Sequence, residues 1–396
     1  MERSAARGLR CDLVLVSYNQ LQYTQACLES LHRCTAPSDY RLLIVDNGSE
    51  PDVVEALQRF RTAHAGVELI LNASNSGWVK EVNQGIRWST APYVCCLNND
   101  IVVTPGWLSE MLNVACSDPR IGALNPSWRG ERETLDAFHE RVGRQKPAGG
   151  PIAYKEISEC NGACLLVKRD VIEQVGMLDE IYETGGYDDS DFSRRVTQAG
   201  YLCVQAQHAF VYHWENVTLD TVPDYWKHQR SEKQKIFHMR WGERRQLAVV
   251  LQTINGHLVP QQLSQCVALA RLGLRLHVVG CLPERSPLRN TEGRWGGGLA
   301  EHNNLKWGVW PVAQVPIAQG LWTAGVCVAI ALKGFGRRWK SPEHRVQVFI
   351  APSGWARAIL KGLRWLHGAP VYRTFQACPL IEREVRQATR IDGAVW

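Results

Sequence analysis

Over its first hundred residues the chain alternates short apolar runs with stretches of helical periodicity. Asp12–Ser17, Arg41–Asp46, Val67–Leu71 and Tyr93–Leu97 are apolar runs of the length and branching that suit strands buried on both faces. Between them, Leu21, Thr24, Leu28 and Leu31, then Val53, Leu57 and Phe60, then Val79, Val82 and Ile86 recur at three- and four-residue spacing, each set marking one face of a helix. Pro51 suits the first turn of the second helix. This alternation predicts an α/β fold with a mostly parallel sheet flanked by helices. Right-handed crossovers bring the strand C-termini to one edge, and ligands of open α/β sheets bind along that edge. Ser17, Asp46 and Asp100 lie at or just past strand ends and are expected to converge there.

The rhythm breaks over residues 126–155, where Gly143–Pro151 reads as a long mobile loop. It resumes with a strand at Ala163–Lys168, a helix at Asp189–Ala199 and a strand at Tyr201–Gln205. The net charge of +6 hides an asymmetry: residues 1–245 carry 27 Lys and Arg against 32 Asp and Glu, a net −5, and the rest carry 18 against 7, a net +11. The break supports a boundary near Arg245, dividing the chain into domains 8–245 and 246–396. The second, smaller α/β region opens with a strand at Gln246–Leu251, a helix carrying Leu263, Cys266, Val267 and Ala270, and a strand at Leu274–Val279. That βαβ start fits a partial Rossmann-like or GT-B-like domain, and an acceptor-binding or assembly module is the alternative. Beyond Pro283 the Trp-, Arg- and Gly-rich sequence has no consistent period and reads unlike a natural core.

No run of apolar residues is long enough to span a bilayer, and Trp322–Leu332 falls short of it. Met1–Arg10 lacks the apolar core of a signal peptide. The thirteen cysteines are scattered and form no Cys-x-x-Cys pair, which suits free thiols in a reducing cytoplasm. The basic C-terminal half suits an anionic surface or a phosphorylated ligand, so peripheral association with the inner face of the membrane is expected through it. No nucleic-acid partner is expected.

Four segments carry more specific information: Val16-Ser17-Tyr18-Asn19, Val45-Asp46-Asn47-Gly48-Ser49, Asn75 to Ile86 (NSGWVKEVNQGI) and Leu97-Asn98-Asn99-Asp100. Asn161-Gly162-Ala163 and Leu178 to Asp191 follow, the latter ending in Gly186-Tyr187-Asp188-Asp189-Ser190-Asp191. In this order the segments resemble the signatures of family 2 glycosyltransferases, over roughly residues 10–215. The resemblance implies a GT-A fold and an inverting, metal-dependent transfer of a hexose or deoxyhexose from a UDP- or dTDP-sugar. The acceptor would be a glycan, a lipid-linked molecule or a polypeptide, in the making of a surface polysaccharide.

By that resemblance Asp46 holds the nucleobase, and Ser17, Asn19, Gly77, Lys80, Asn83, Asn98 and Asn99 lie against the donor. Asp100 ends the metal motif usually written Asp-x-Asp, and here Asn98 replaces its first carboxylate. Manganese or magnesium wants oxygen ligands, so Asp100 with diphosphate oxygens forms the expected site. His213 is the second expected ligand, and His208 is its rival. Asp189 is the expected catalytic base, with Gly162 and Asp188 on the acceptor side. Other readings of the same residues remain: Asp46 as a turn cap before Asn47-Gly48, the Asp188, Asp189 and Asp191 cluster as a helix cap, Lys80 as a solvated lysine, Trp78 as either a sugar platform or core, and Arg194 and Arg195 as salt-bridge partners. Two other function classes compete. A sugar nucleotidyltransferase carries a Gly-rich basic loop after its first strand, where this chain has Tyr18-Asn19-Gln20-Leu21. A non-catalytic nucleotide-sugar-binding protein would be consistent with Asn98.

Overall fold

The computed structural model describes residues 11–128, 130, 132–144, 152–215, 217, 220 and 225–242, and beyond these 246–251, 253–254, 257–258, 260–282, 305–311, 348–350, 371–372 and 385–386. Met1–Arg10, Trp322–Leu332 and most of Gly143–Pro151 lie outside the described residues. The chain divides into two compact units, Met1–Gly242 and Glu243–Trp396.

The first unit begins with the alternation expected of it: β1 (Cys11–Ser17), α1 (Leu21–Cys34), β2 (Tyr40–Asp46), α2 (Pro51–Ala63), β3 (Val67–Leu71), α3 (Trp78–Trp88) and β4 (Tyr93–Asn98). It continues with β5 (Ile101–Val103), α4 (Trp107–Ser117), β6 (Ile121–Trp128), α5 (Leu135–Arg144), β7 (Tyr154–Glu156), β8 (Cys164–Lys168), α6 (Arg169–Val175), α7 (Asp188–Gln198), β9 (Leu202–His213) and α8 (Arg230–Trp241). The strands form one sheet in the order β3-β2-β1-β4-β8-β6-β9-β5, with β7 paired to β9. Pairing is parallel from β3 to β4. Beyond β4 the sheet is mixed: β8 runs antiparallel to β4 and β6, and β9 is parallel to β6 but antiparallel to β5 and β7.

Alternate residues of a strand face opposite sides, and the first unit has a core on each side. Leu13, Leu15, Leu42, Ile44 and Leu97 pack with Leu28, Leu31, Leu57 and Trp107 on one side. Val14, Val16, Leu43 and Val94 pack with Val79, Val82, Ile86, Phe192 and Val196 on the other. The region without visible rhythm contains α5, anchored by buried Phe138. Its apolar positions Leu135, Phe138 and Val142 are separated by charged residues, which hides the period.

In the second unit, β10 (Gln246–Leu251) leads through a hairpin, β11 (Thr253–Ile254) and β12 (His257–Leu258), to α9 (Pro260–Arg271) and β13 (Arg275–Leu282). β14 (Leu305–Pro311), β15 (Val348–Ile350) and β16 (Val371–Tyr372) complete a sheet in the order β14-β13-β10-β15-β16. All its pairings are parallel, and the strand order reverses beside β10, as in doubly wound α/β sheets. Cys266, Leu269 and Ala270 of α9 are buried. Among the described residues no helix is long and apolar enough to cross a membrane, and the ten cysteines whose side chains are described are free thiols.

Gly85 of α3 gives a direct test of the packing between helix and sheet. A methyl group there would overlap Val14 Cγ1 of β1. Glycine to alanine inside a helix normally stabilises by roughly 1 kcal/mol. Here the sign should reverse: Gly85→Ala should lower stability by about 1–3 kcal/mol, read from the denaturant midpoint.

Candidate active site

The parallel register brings the ends of β1, β2 and β4 together. Ser17 pairs with Asp46, and Val16 with Asn98. Ser17 Oγ, Asp46 Oδ1 and Asn98 Oδ1 are buried and have no hydrogen-bond partner among the described residues. An unsatisfied buried polar atom costs about 1–3 kcal/mol, and three of those found among the described residues lie together at this sheet edge. Asp46 is held in place through its other oxygen, which accepts the Ser49 N–H at 3.0 Å. Asn19 sits in the left-handed region with φ 51°. Its N–H donates to Ser49 Oγ at 2.8 Å and its side-chain oxygen accepts the Glu50 N–H at 2.9 Å, which ties together the loops after β1 and β2. The Asn99 amide donates to Thr24 Oγ1 at 2.8 Å, so its side chain anchors the turn after β4 to α1.

Asp100 and His213 are 113 residues apart in sequence, but the antiparallel pairing of β5 with β9 sets Ile101 opposite His213. Asp100 is buried, and His213 Nε2 lies 3.1 Å from its Oδ1. His208 is exposed in the middle of β9. Among the described residues no group of three or more His, Cys, Asp or Glu is placed to hold a metal. The residues present nonetheless fit a cation that keeps substrate and water oxygens in its shell: one carboxylate, one imidazole, and the orphaned amide oxygen of Asn98.

The loop before α3 is built from backbone bonds to side chains. Asn47 and Asn75 bond through their amides at 3.1 Å, Asn47 Oδ1 accepts the Ser76 N–H, and Asn75 Oδ1 accepts the Gly77 N–H. Buried Glu81 closes the loop from α3 by accepting from Asn72 and Ser76, and burial pushes its carboxyl above the usual range. Gly77 has φ 96°, and a Cβ there would stand 2.8 Å from the Glu183 carbonyl oxygen. That same oxygen accepts the Val79 N–H at 3.1 Å, so the loop seats directly on the segment preceding Asp188 and Asp189. Lys80 is exposed. Asn83 is buried, and both ends of its amide bond the chain: it donates to the Leu178 carbonyl at 2.8 Å and accepts the Leu178 N–H at 3.2 Å. It binds α3 to the segment leading into α7.

Asp189 stands at the start of α7, half-buried, and accepts the Gly162 N–H at 3.1 Å and the Ser190 N–H at 2.7 Å. Gly162 is required by a neighbour, because a Cβ there would lie 2.8 Å from the ring of Trp78. The Asn98 N–H donates to the Ala163 carbonyl at 3.0 Å. Asp189 is therefore linked to the end of β4 through two adjacent residues, Gly162 and Ala163. Burial raises the Asp189 carboxyl, helped by Glu159 and opposed by the Gly162 N–H. Asp188 is buried more deeply; desolvation and the neighbouring Asp189 raise it in turn. Asp191 is fully buried and accepts from Arg195, Arg240 and Trp241. It joins α7 to α8, a larger role than the capping expected of a first-turn aspartate. Arg194 lies 3.9 Å from Glu159.

Residues 12–176 match the model of glycosyl transferase family 2. The chain carries a family 2 glycosyltransferase domain. It is similar to the protein y4gI of Sinorhizobium fredii, 26% identical over 223 residues, covering 52% of this chain and 24% of that one. It is likewise similar to the glycosyltransferase AglE of Haloferax volcanii, 26% identical over 48% of this chain and 62% of that one. A third relative is the N-acetylglucosaminyl-diphospho-decaprenol L-rhamnosyltransferase of Mycobacterium tuberculosis, 27% identical over 51% of this chain and 75% of that one. The chain spans less than two thirds of the length of the first two. Among solved structures, the mannosyltransferase PcManGT of Pyrobaculum calidifontis, in complex with GDP-Man and Mn2+, superposes with a TM-score of 0.42 at 17% identity over 52% of this chain and 56% of that one.

The glycosyltransferase domain thus gathers Ser17, Asp46, Asn98, Asp100 and His213 along the strand ends, and Gly162, Asp188 and Asp189 beside them. Sequence reasoning missed Glu81, Lys233 and Tyr225, which hold the loops around these groups; a charge beside the apolar positions of a helical period was the available signal for Glu81 alone. The raised carboxyl of Asp188 makes a stability prediction. A carboxyl whose pKa is higher folded than unfolded binds protons preferentially in the folded state, so it favours folding at low pH and costs stability as pH rises through the folded pKa. Asp188→Asn keeps an oxygen to accept the Gly186 N–H. It should therefore melt at a higher temperature than the parent above that pKa, with the gap closing as pH falls to the ordinary carboxylate range. A lower melting temperature throughout would contradict the assignment.

Proposed function

We propose that the N-terminal unit is an inverting, divalent-metal-dependent transferase that moves a sugar from a UDP- or dTDP-sugar to a hydroxyl of a glycan, lipid-linked or polypeptide acceptor. The observation that carries this reading is the arrangement along one sheet edge: orphaned polar atoms at three strand ends, the Asp100–His213 pair, and Asp189 two residues removed from the same strand. Asp46 and Ser17 would receive the base and ribose of the donor. Asp100 and His213 would hold manganese or magnesium, which when bound supplies positive charge against the diphosphate leaving group. Lys80, exposed at the first turn of α3, would contact phosphate.

Asp189 accepts the proton of the acceptor hydroxyl. The acceptor oxygen forms a bond to the anomeric carbon as the bond from that carbon to the diphosphate oxygen breaks, and the nucleoside diphosphate leaves. Its carboxyl, raised by burial, makes Asp189 a stronger proton acceptor, once ionised, than a solvated aspartate. A single base on the face opposite the leaving group gives inversion. Residues 246–396, with their excess of positive charge, are the proposed surface toward an anionic membrane.

Three variants test the roles separately. Asp100→Ala should lose manganese-dependent nucleotide binding and donor turnover together, and unchanged manganese dependence would remove the metal role. Asp189→Asn should bind the nucleoside diphosphate within about threefold of the parent while turnover falls about 10²- to 10⁴-fold. Asp188→Asn should lose less. Retention of more than about a tenth of turnover by Asp189→Asn would contradict its role as base. Binding without turnover in the parent chain would favour a nucleotide-sugar-binding protein, to which the loss of a carboxylate at Asn98 gives some support.

A further inference from the structure

The segment that leads into Asp188 and Asp189 holds an unusual backbone. Glu183, Gly185, Gly186 and Tyr187 have φ of 46°, 95°, 94° and 73°. Two of the four are not glycine, and side chains of L-residues adopt this region only at a cost. Such conformations persist where the surroundings over-determine them, and they cluster at functional sites. Here the surroundings come from α8 and from Tyr225–Gln229, the single π-turn that precedes it. Both lie beyond the residues matched by the family.

Lys233 of α8 is 4% exposed. Its ammonium donates to the Gly185 carbonyl at 2.9 Å and is also bonded to Thr184 Oγ1. Thr184 Oγ1 in turn donates to Gln229 Oε1 at 3.1 Å. Tyr225 Oη donates to the same Gly185 carbonyl at 3.3 Å, and a Cβ at Gly186 would lie 2.6 Å from that hydroxyl. The loop passes its conformation forward: the Gly186 N–H donates to Asp188 Oδ1 at 2.7 Å, and Asp189 follows. It also passes it to the donor side, since the Glu183 carbonyl receives Val79 and abuts Gly77.

We propose that Lys233 is a positioning residue of the transfer reaction, its buried ammonium holding the 183–187 loop in the one conformation that sets the Asp189 carboxylate against the acceptor. This rests on the reading of Asp189 as the base. A buried amine loses solvation, and its pKa is pushed down by burial; the bonds to Gly185 and Thr184 are what offset that loss. The charge has a second consequence. Asp188 is faced by Asp189, by Lys233 and by the phenols of Tyr182 and Tyr225, while Asp189 is faced by Glu159, Cys160 and Tyr225. Lys233 is the cation among these groups, and it opposes the upward push on Asp188. Without it the carboxylate pair should ionise at higher pH.

The test uses the full chain with Lys233→Met, Lys233→Arg and Thr184→Val, measuring UDP affinity in the presence of manganese and donor turnover across the pH range. Displacing a reacting group by about 1 Å can cost on the order of 10²-fold in rate. Lys233→Met should therefore bind UDP within about twofold of the parent, lose roughly 10- to 100-fold in kcat, and show the acid limb of its kcat profile displaced to higher pH. Lys233→Arg should recover part of the rate and return the acid limb toward its original position. Thr184→Val should lose rate in the same direction by a smaller factor. Turnover and acid limb unchanged in Lys233→Met would overturn the proposal, as would rate and UDP affinity falling together with the acid limb unmoved, the mark of a purely structural lysine. If Lys233→Met fails to fold, an unchanged kcat in Thr184→Val overturns the proposal on its own. A parent chain that binds UDP but turns over no donor sinks the assignment of Asp189 as base, and this proposal with it.

Discussion

The site depends on the register of β1 between β2 and β4. That register puts Ser17 beside Asp46 and Asn98 one step away. A slip by one residue would turn each side chain to the opposite face. The slip is prevented by the two cores: Leu13 and Leu15 belong to one and Val14 and Val16 to the other, so a shifted strand would exchange its packing on both sides at once. A strongly specified register lets the sheet hold unsatisfied polar atoms at its edge without rearranging to satisfy them. Local cost tolerated at a functional edge and offset by a consistent interior is a common pattern in folded proteins.

The second half of the site is held differently. Asp189 sits at the beginning of a helix, after a loop whose backbone is unfavourable on its own. Contacts from three directions hold that loop: the glycine turn before α3, the Asn83 amide clamped to Leu178, and the buried side chains of α8. Asp191 strengthens the last of these, with Arg195, Arg240 and Trp241 all bonded to one buried carboxylate. Removing one partner from such a buried group is far more costly than the exposed pairs on α2 or α5 would suggest. Helix α8 thus helps to hold the loop before Asp188 and Asp189 although it contributes no group to the strand ends.

The parallel half of the fold was legible because each strand and helix there has its own local pattern, and their alternation implies the edge where Ser17, Asp46 and Asp100 meet. The mixed half was less so. Antiparallel β8 and β5 are set by long-range pairings that leave no mark in the local sequence, and α5 has its apolar positions spread among charges. Within the candidate site, residue type singled out candidate groups but not their partners. Asn19, Asn83 and Asn99 looked alike as donor-side amides, yet their side chains are engaged by Glu50, Leu178 and Thr24. Only the fold shows which polar side chains are spent on the chain itself and which, like Asn98, are left over. Lys233 was not legible because its partners are backbone and hydroxyl groups about fifty residues away.

The claim at the centre of this account is that one carboxylate, Asp189, stands opposite a metal-held diphosphate and drives a single displacement. Water can take the place of the acceptor, so the claim is open to measurement before the acceptor is known. The measurement is the anomeric proton signal of the first sugar released from an α-linked UDP- or dTDP-sugar by the full chain with manganese, followed by NMR before mutarotation. The account predicts that the β-anomer appears first. Release of the α-anomer first would mean a double displacement or a different attacking face, and would contradict it.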